Sequence, residues 1–208
     1  MEIIIFGISH FDPQSYKNLV KILRCQKSSR SDPPLFIATE WGQKAFEEIR
    51  NQRPQFREMI KNNWPQLSTN QQALDVIVKT LGFEGDCYTE LFPSTKTIWL
   101  DNDRDVSVSD YAVNRLSMYK GFLNNKVPGD IIQDLHLEAA RRIQTAQLDD
   151  TSRDKKWAEN LAQQFVSSSN GYGFAIVGRL HATNAIANNF FSALSERGFT
   201  CSWHDLST

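Results

Sequence analysis

Cysteine is scarce and badly arranged for cross-linking. Cys25, Cys87 and Cys201 are odd in number, far apart and without a C-x-x-C pair. That pattern argues against a disulfide framework and a thiolate zinc site, and makes a reducing cytoplasm the expected setting. A charge excess is missing too. Twenty-three Lys plus Arg against 24 Asp plus Glu leave a net charge of −1, so bulk electrostatics draws the chain neither to nucleic acid nor to an anionic membrane. Long apolar runs are lacking as well. The opening Ile3-Ile4-Ile5-Phe6 stops at Gly7, far short of the roughly 20 residues of a membrane helix. No charged leader or small-residue cleavage site marks it as a signal peptide. The expectation is a soluble protein with no membrane and no nucleic-acid partner.

What remains is ordinary globular material: 208 residues, 40% hydrophobic and 23% charged, enough for one domain. Residues 2–6 read as a buried strand closed by Gly7, and 35–38 as a second that delivers Thr39, Glu40 and Trp41. Thr97 to Leu100 is a third, 173–177 a fourth ended by Gly178, and 199–203 a fifth. Between them the apolar spacing predicts helices. One runs over about 15–23, with Tyr16, Leu19, Val20 and Leu23 on one face, and serine-rich 25–32 reads as a loop before Pro33-Pro34. Others start near Gln43, with Pro54 and Pro65 as punctuation, and cover 69–81. A later one opens near Arg153 with Trp157, Leu161 and Phe165 on one face, and the last spans about 182–197 before Gly198. Alternating strands and helices predict an α/β fold: a central mixed sheet with helices on both faces, as a single domain over 1–208, with 45–150 a mostly helical insertion or sub-lobe.

One internal echo points towards function. Phe6-Gly7-Ile8-Ser9-His10 and Val177-Gly178-Arg179-Leu180-His181 each turn from a buried strand at glycine and present a histidine three residues later. In open α/β sheets ligands bind beyond the carboxyl ends of the strands, and Glu40 leaves the second strand in the same way. If those strands are parallel neighbours, His10, Glu40 and His181 converge. Two imidazoles and a carboxylate suit a divalent metal with open positions, with manganese, cobalt and zinc the candidates. The same trio suits metal-free acid–base work near neutrality. Either histidine alone would more often be a hydrogen-bonded turn residue, whereas two copies plus an acid favour a site.

Arg153 opens a helix at the end where the dipole disfavours a cation. It is read either as a clamp for a substrate anion or for Glu40, or as plain surface. Asp154 beside it complements the dipole. Asp101, Asp103 and Asp105 follow the third strand and would add a carboxylate to a metal site, hold Arg153, or form a solvated loop. Asp12 is an additional ligand candidate or simply a turn residue. His136 and His204 read as structural or solvated, and Trp41, Trp64 and Trp157 mostly as core.

Together, G-x-x-H after one strand, a strand-end glutamate, "RDKKWA" at a helix start and then strand-G-x-x-H resemble the TraB/Tiki, ChaN and erythromycin-esterase superfamily. The match is fullest over "RDKKWAENLAQQF…GFAIVGRLHA", where that family usually has methionine at the position of Trp157. Residues 45–150 carry little that corresponds. The resemblance implies an α/β pocket formed by His10, Glu40, Arg153 and His181, in a superfamily that includes proposed metal-dependent proteases, esterases and haem-binding proteins. The expected function is hydrolysis of an ester or amide bond in a small-molecule or peptide substrate, with or without a metal. His10, Glu40 and His181 would bind the ion or activate water, and Arg153 would steady the oxyanion. The alternative is a protein that holds haem or another small ligand in the same pocket without turnover.

Overall fold

The computed structural model describes residues 1–8, 13–63, 65, 74–75, 78, 85–102, 151–165, 170–183 and 188–206. Their order is β1 (Glu2–Ile8), α1 (Pro13–Ser29), β2 (Phe36–Thr39), α2 (Gln43–Asn63), α3 (Gly85–Leu91), β3 (Lys96–Trp99), α4 (Thr151–Phe165), β4 (Tyr172–Gly178), α5 (Arg179–Ala182), α6 (Phe190–Glu196) and β5 (Thr200–Asp205). The five strands form one sheet in the order β3-β2-β4-β1-β5. Every pairing in it is parallel. The α/β architecture expected from the sequence is therefore present, while the mixed sheet is corrected to a parallel one. The reason lies in the connections, since each strand is reached through helical chain that returns it to the same edge.

Both faces of the sheet are covered, which explains why β1 and β4 are continuously apolar. Along β1, Ile4, Phe6 and Ile8 join Phe174, Ile176 and Ile37 beneath Leu19 and Leu23 of α1 and Cys87 and Tyr88 of α3. On the other face Ile3 and Ile5 join Ala175, Val177, Ala38 and Ile98 beneath Trp157, Ala158 and Leu161 of α4 and Phe190 and Leu194 of α6. Trp99, opposite in direction to Ile98, packs tilted against Phe46 of α2 at 5.0 Å, placing α2 on the α1 side. Connections on the α1 side carry the chain towards β3, and those on the α4 side carry it towards β5. One crossover hand therefore serves throughout, as parallel sheets require.

Several boundaries differ from the sequence reading. β1 runs through Gly7 to Ile8 instead of closing there. α1 continues over Cys25 to Ser29, where a loop was expected. There Ser28 satisfies its hydroxyl on the Arg24 carbonyl at 3.0 Å, and Lys27 reaches the Leu91 carbonyl at 2.7 Å. α2 passes Pro54 without a break. An interior proline costs a helix about 3 kcal/mol, and here Phe46, Ile49, Phe56 and Ile60 are buried along the helix on both sides of it. The helix expected over 182–197 is instead α5 and α6, because Asn189 starts a new helix by capping the Ser192 amide at 3.1 Å.

β3 lies inside the stretch read as a helical sub-lobe and belongs to the central sheet. Residues 103–150 of that stretch, with His136, Asp103 and Asp105, fall outside the described residues, as does Trp64. So does most of 69–81, although Leu74 and Val78 are helical and buried. Among the described residues no helix is long and apolar enough to cross a membrane.

Candidate active site

The parallel sheet brings the carboxyl ends of β2, β3 and β4 to one edge. From there β2 leads into α2 on one face and β4 into α5 and α6 on the other, the arrangement of diverging neighbours at which open α/β sheets commonly bind ligands. Glu40 stands at that point. Its Oε2 accepts a 2.6 Å hydrogen bond from the Gly178 amide, tying the end of β2 to the end of β4. A charge-assisted bond this short is among the stronger polar contacts available to a backbone N–H.

His181 follows three residues later on α5. A four-residue helix has no independent stability, so its position is imposed by its surroundings. Gly7 makes room beneath it: a Cβ there would lie 2.9 Å from the Ala182 Cβ and 3.2 Å from the Arg179 Cα. Asn189, fully buried, donates to the Leu180 and Thr183 carbonyls at 3.1 and 2.6 Å. Arg179 pairs with Asp205 of β5 at 2.8 Å. The histidine is thereby held from the sheet, from α6 and from the last strand.

A fourth restraint acts on the imidazole itself. Asp154 Oδ1 lies 2.6 Å from His181 Nδ1, with side-chain exposures of 2% and 15%. A carboxylate only accepts, so Nδ1 carries the proton and Nε2 is left as the basic nitrogen. The Trp157 ring packs beside the imidazole at 5.1 Å. Positions 154, 157, 158 and 161 share one helical stripe, and all four are buried. Asp154 is thus the polar head of an apolar face. The sequence reading gave it only a dipole role, although its i, i+3, i+4, i+7 relation to Trp157, Ala158 and Leu161 was the available signal.

Arg153, one residue earlier, turns a different way. Its guanidinium forms a two-point pair with Asp101, Nε to Oδ1 at 3.3 Å and NH2 to Oδ2 at 2.8 Å, and lies 4.3 Å above the Trp157 ring. The Trp157 indole N–H donates to the same Asp101 Oδ1 at 2.8 Å. Asp101 thus holds Arg153, one of the roles its position after the third strand allows. Gly42 keeps the two strand ends close, since a Cβ there would lie 2.9 Å from the Asp101 carbonyl oxygen.

The described structure therefore brings Glu40, Arg153 and His181 to one end of the fold and adds Asp101 and Asp154, which support the arginine and the histidine. His10 and Asp12 lie outside the described residues, so the metal trio of His10, Glu40 and His181 is described only in part. Among the described residues, no three of His, Cys, Asp and Glu gather as a group able to hold a metal. His204 is not in a tail but in β5, stacked on Phe6 at 5.7 Å. Compared with known proteins, the chain matches no family model, no curated protein and no solved structure.

Proposed function

We propose that the chain is a hydrolase of ester or amide bonds, acting on a small molecule or short peptide in a reducing cytoplasm, with His181 as its general base. The observation that carries this reading is the Asp154–His181 pair at the diverging strand ends. A buried carboxylate on Nδ1 fixes the tautomer and ring direction and stabilises the imidazolium that forms on proton transfer. Water bound against Nε2 gives up its proton as its oxygen attacks the carbonyl carbon. The same proton then passes to the leaving alcohol or amine as the tetrahedral intermediate collapses. Arg153 is the cation for the oxyanion, though sharing its charge with Asp101 makes it weaker than a lone guanidinium. Glu40 braces the floor between β2 and β4. The resemblance of the two G-x-x-H turns and the "RDKKWA" helix start to the TraB/Tiki, ChaN and erythromycin-esterase superfamily supports the same pocket.

A metal-assisted version rests on the same pair, because a carboxylate is one of the usual partners for the second nitrogen of a metal-ligating histidine. His181 Nε2, Glu40 and His10 would hold manganese, cobalt or zinc, and the ion would lower the pKa of bound water.

The test is hydrolysis of p-nitrophenyl esters and peptide p-nitroanilides by wild type, Asp154→Asn and His181→Ala, each with chelator and with added manganese, cobalt or zinc. Asp154→Asn keeps volume but favours the wrong tautomer and is expected to lower kcat by about 100-fold or more. Equal turnover by all three folded proteins would refute the reading. Activity that vanishes with chelator and returns with one ion selects the metal-assisted version.

A further inference from the structure

We propose a second binding site at the opposite edge of the sheet, built for a small organic anion with an apolar body. A cavity of about 310 Å³ lies there, between the C-terminal turn of α1, the loop leading into β2 and the loop leading into β3. Its size falls within the range of small-ligand pockets, roughly 300–1,000 Å³. The strands begin at this edge, so the cavity is separated from Glu40 and His181 by the length of the sheet.

The lining is bipartite. Leu91, Phe92 and Pro93 supply an apolar wall, while Lys27 and Arg30 bring two cations. Both cations are positioned in advance. Lys27 Nζ is anchored on the Leu91 carbonyl at 2.7 Å and stands 5.9 Å over the Phe92 ring. The Arg30 guanidinium lies 4.1 Å from the Tyr172 ring, with Nε on Gln26 Oε1 at 3.0 Å and NH1 on Glu2 Oε2 at 3.1 Å. That leaves its second terminal nitrogen as a donor. Asp32 is the one acid in the lining, and Oδ2 already accepts from the Ser31 hydroxyl at 3.2 Å.

Across from the cations the turn before β3 offers two more donors, the Ser94 and Thr95 hydroxyls, whose side chains make no hydrogen bond within the described protein. Fixed cations and spare hydroxyls over an apolar wall suit a carboxylate or phosphate head carried on a flat apolar group. They do not suit an amine. A neutral apolar molecule would leave the donors unused.

The experiment is titration of the full chain at low ionic strength with benzoate and phenyl phosphate, beside benzyl alcohol and benzylamine, followed by ligand-observed NMR and calorimetry. One or both anions should bind, and whichever is tighter names the head group. Lys27→Gln and Arg30→Gln should each weaken binding by about 10-fold, the loss of one charged hydrogen bond. Because Arg30 also braces Tyr172 and Glu2, Ser94→Trp serves as the second variant: at an exposed turn it fills the mouth and should abolish binding without moving the melting temperature. His181→Ala should bind as wild type does. Benzylamine binding as tightly as benzoate would overturn the proposal. So would binding that survives Ser94→Trp, binding lost in folded His181→Ala, or no anion binding up to about 10 mM.

Discussion

Replacing Gly7 by alanine should damage the candidate site more than the fold. The strand at Gly7 is regular, paired with Val177 on one side and Asp205 on the other, so backbone conformation is not the obstacle. Space is. The new methyl would sit 2.9 Å from the Ala182 Cβ, against a favourable carbon–carbon separation of about 3.5–4.0 Å. Relief requires α5 to retreat by about 1 Å. Overpacking of this kind costs about 1–3 kcal/mol, and the lower unfolded-state entropy of alanine offsets about 0.4–1 kcal/mol of it. The expected net destabilisation thus lies between about 0 and 2.6 kcal/mol, small enough to leave the protein folded.

The same shift acts on His181, which precedes Ala182. Moving the imbedded ring by about 1 Å stretches the 2.6 Å contact with Asp154 to a distance at which no hydrogen bond remains. For a reaction that uses this imidazole, misplacement by about 1 Å can cost 100-fold in rate. Urea unfolding measures the first quantity. The imidazole N–H and Trp157 indole N–H signals in the NMR spectrum report the second without presuming a substrate. Gly7→Ala/Ala182→Gly removes the nearest contact and should restore part of both, with a coupling of about 0.5–3 kcal/mol. Gly7→Ala with unchanged stability and unchanged His181 signals would refute the reasoning, as would a double variant no better than the single.

Asp101→Ala should lower stability by about 2–4 kcal/mol, because it leaves the buried Trp157 N–H without its acceptor and removes the two-point ion pair with Arg153. A loss under about 0.5 kcal/mol in chemical denaturation would mean the indole finds another acceptor. Asn189→Ala removes a helix cap and two donors to the α5 backbone, and about 2 kcal/mol of destabilisation is expected, with faster amide exchange at Thr183. Unchanged exchange there would show that α5 is held by other contacts. Burial raises the Cys201 thiol above its ordinary 9.0, with the Ser195 hydrogen bond opposing, and desolvation raises the Tyr172 phenol above 10.0 against the pull of Arg30. In both cases the unfolded chain releases its proton first. Their contribution is therefore complete below the ordinary values and is lost as pH climbs through the higher folded ones. The unfolding midpoint should fall across that alkaline window, and less steeply in Cys201→Ser; identical slopes would contradict the assignment.

How far the sequence discloses this fold depends on which physics sets each element. The inner strands β1, β2 and β4 are legible because burial on both faces leaves a nearly uninterrupted apolar run. The meaning of Gly7 is not legible from its own neighbourhood. It suggests a strand end, but the residue that needs the space is Ala182, distant in sequence and adjacent only once β1 and β4 pair. Sheet direction is equally non-local, since a mixed sheet and a parallel one use the same strands. Asn189 is the opposite case. Asn followed three residues later by Ser before an apolar pair is a local cap signal, masked by an apolar period that continues across it. Arg153 is legible as an anomaly, a cation at the wrong end of a helix, whereas its partner Asp101 is one of three acids that the sequence alone does not rank.

The acids near the strand ends differ in what they face. Glu40 engages the Gly178 amide, Asp101 the Arg153 fork and the Trp157 indole, and Asp205 the Arg179 guanidinium. Each of these contacts orients and holds a strand end. Asp154 differs in facing an imidazole, whose two ring nitrogens allow one to hold a proton while the other accepts one. Burying a carboxylate against histidine is poor engineering for stability alone, since an ion pair removed from water commonly does no better than well-packed apolar side chains of similar volume. Here Asp154 heads an apolar stripe that Leu or Met would extend. A carboxylate in that position instead gives the imidazole one defined tautomer and aims Nε2 away from the helix. Asp154→Leu therefore separates the two roles. A variant that unfolds at a higher urea concentration while losing hydrolysis would mark the pair as selected for chemistry, whereas parallel loss of both would make it a structural contact that happens to include a histidine.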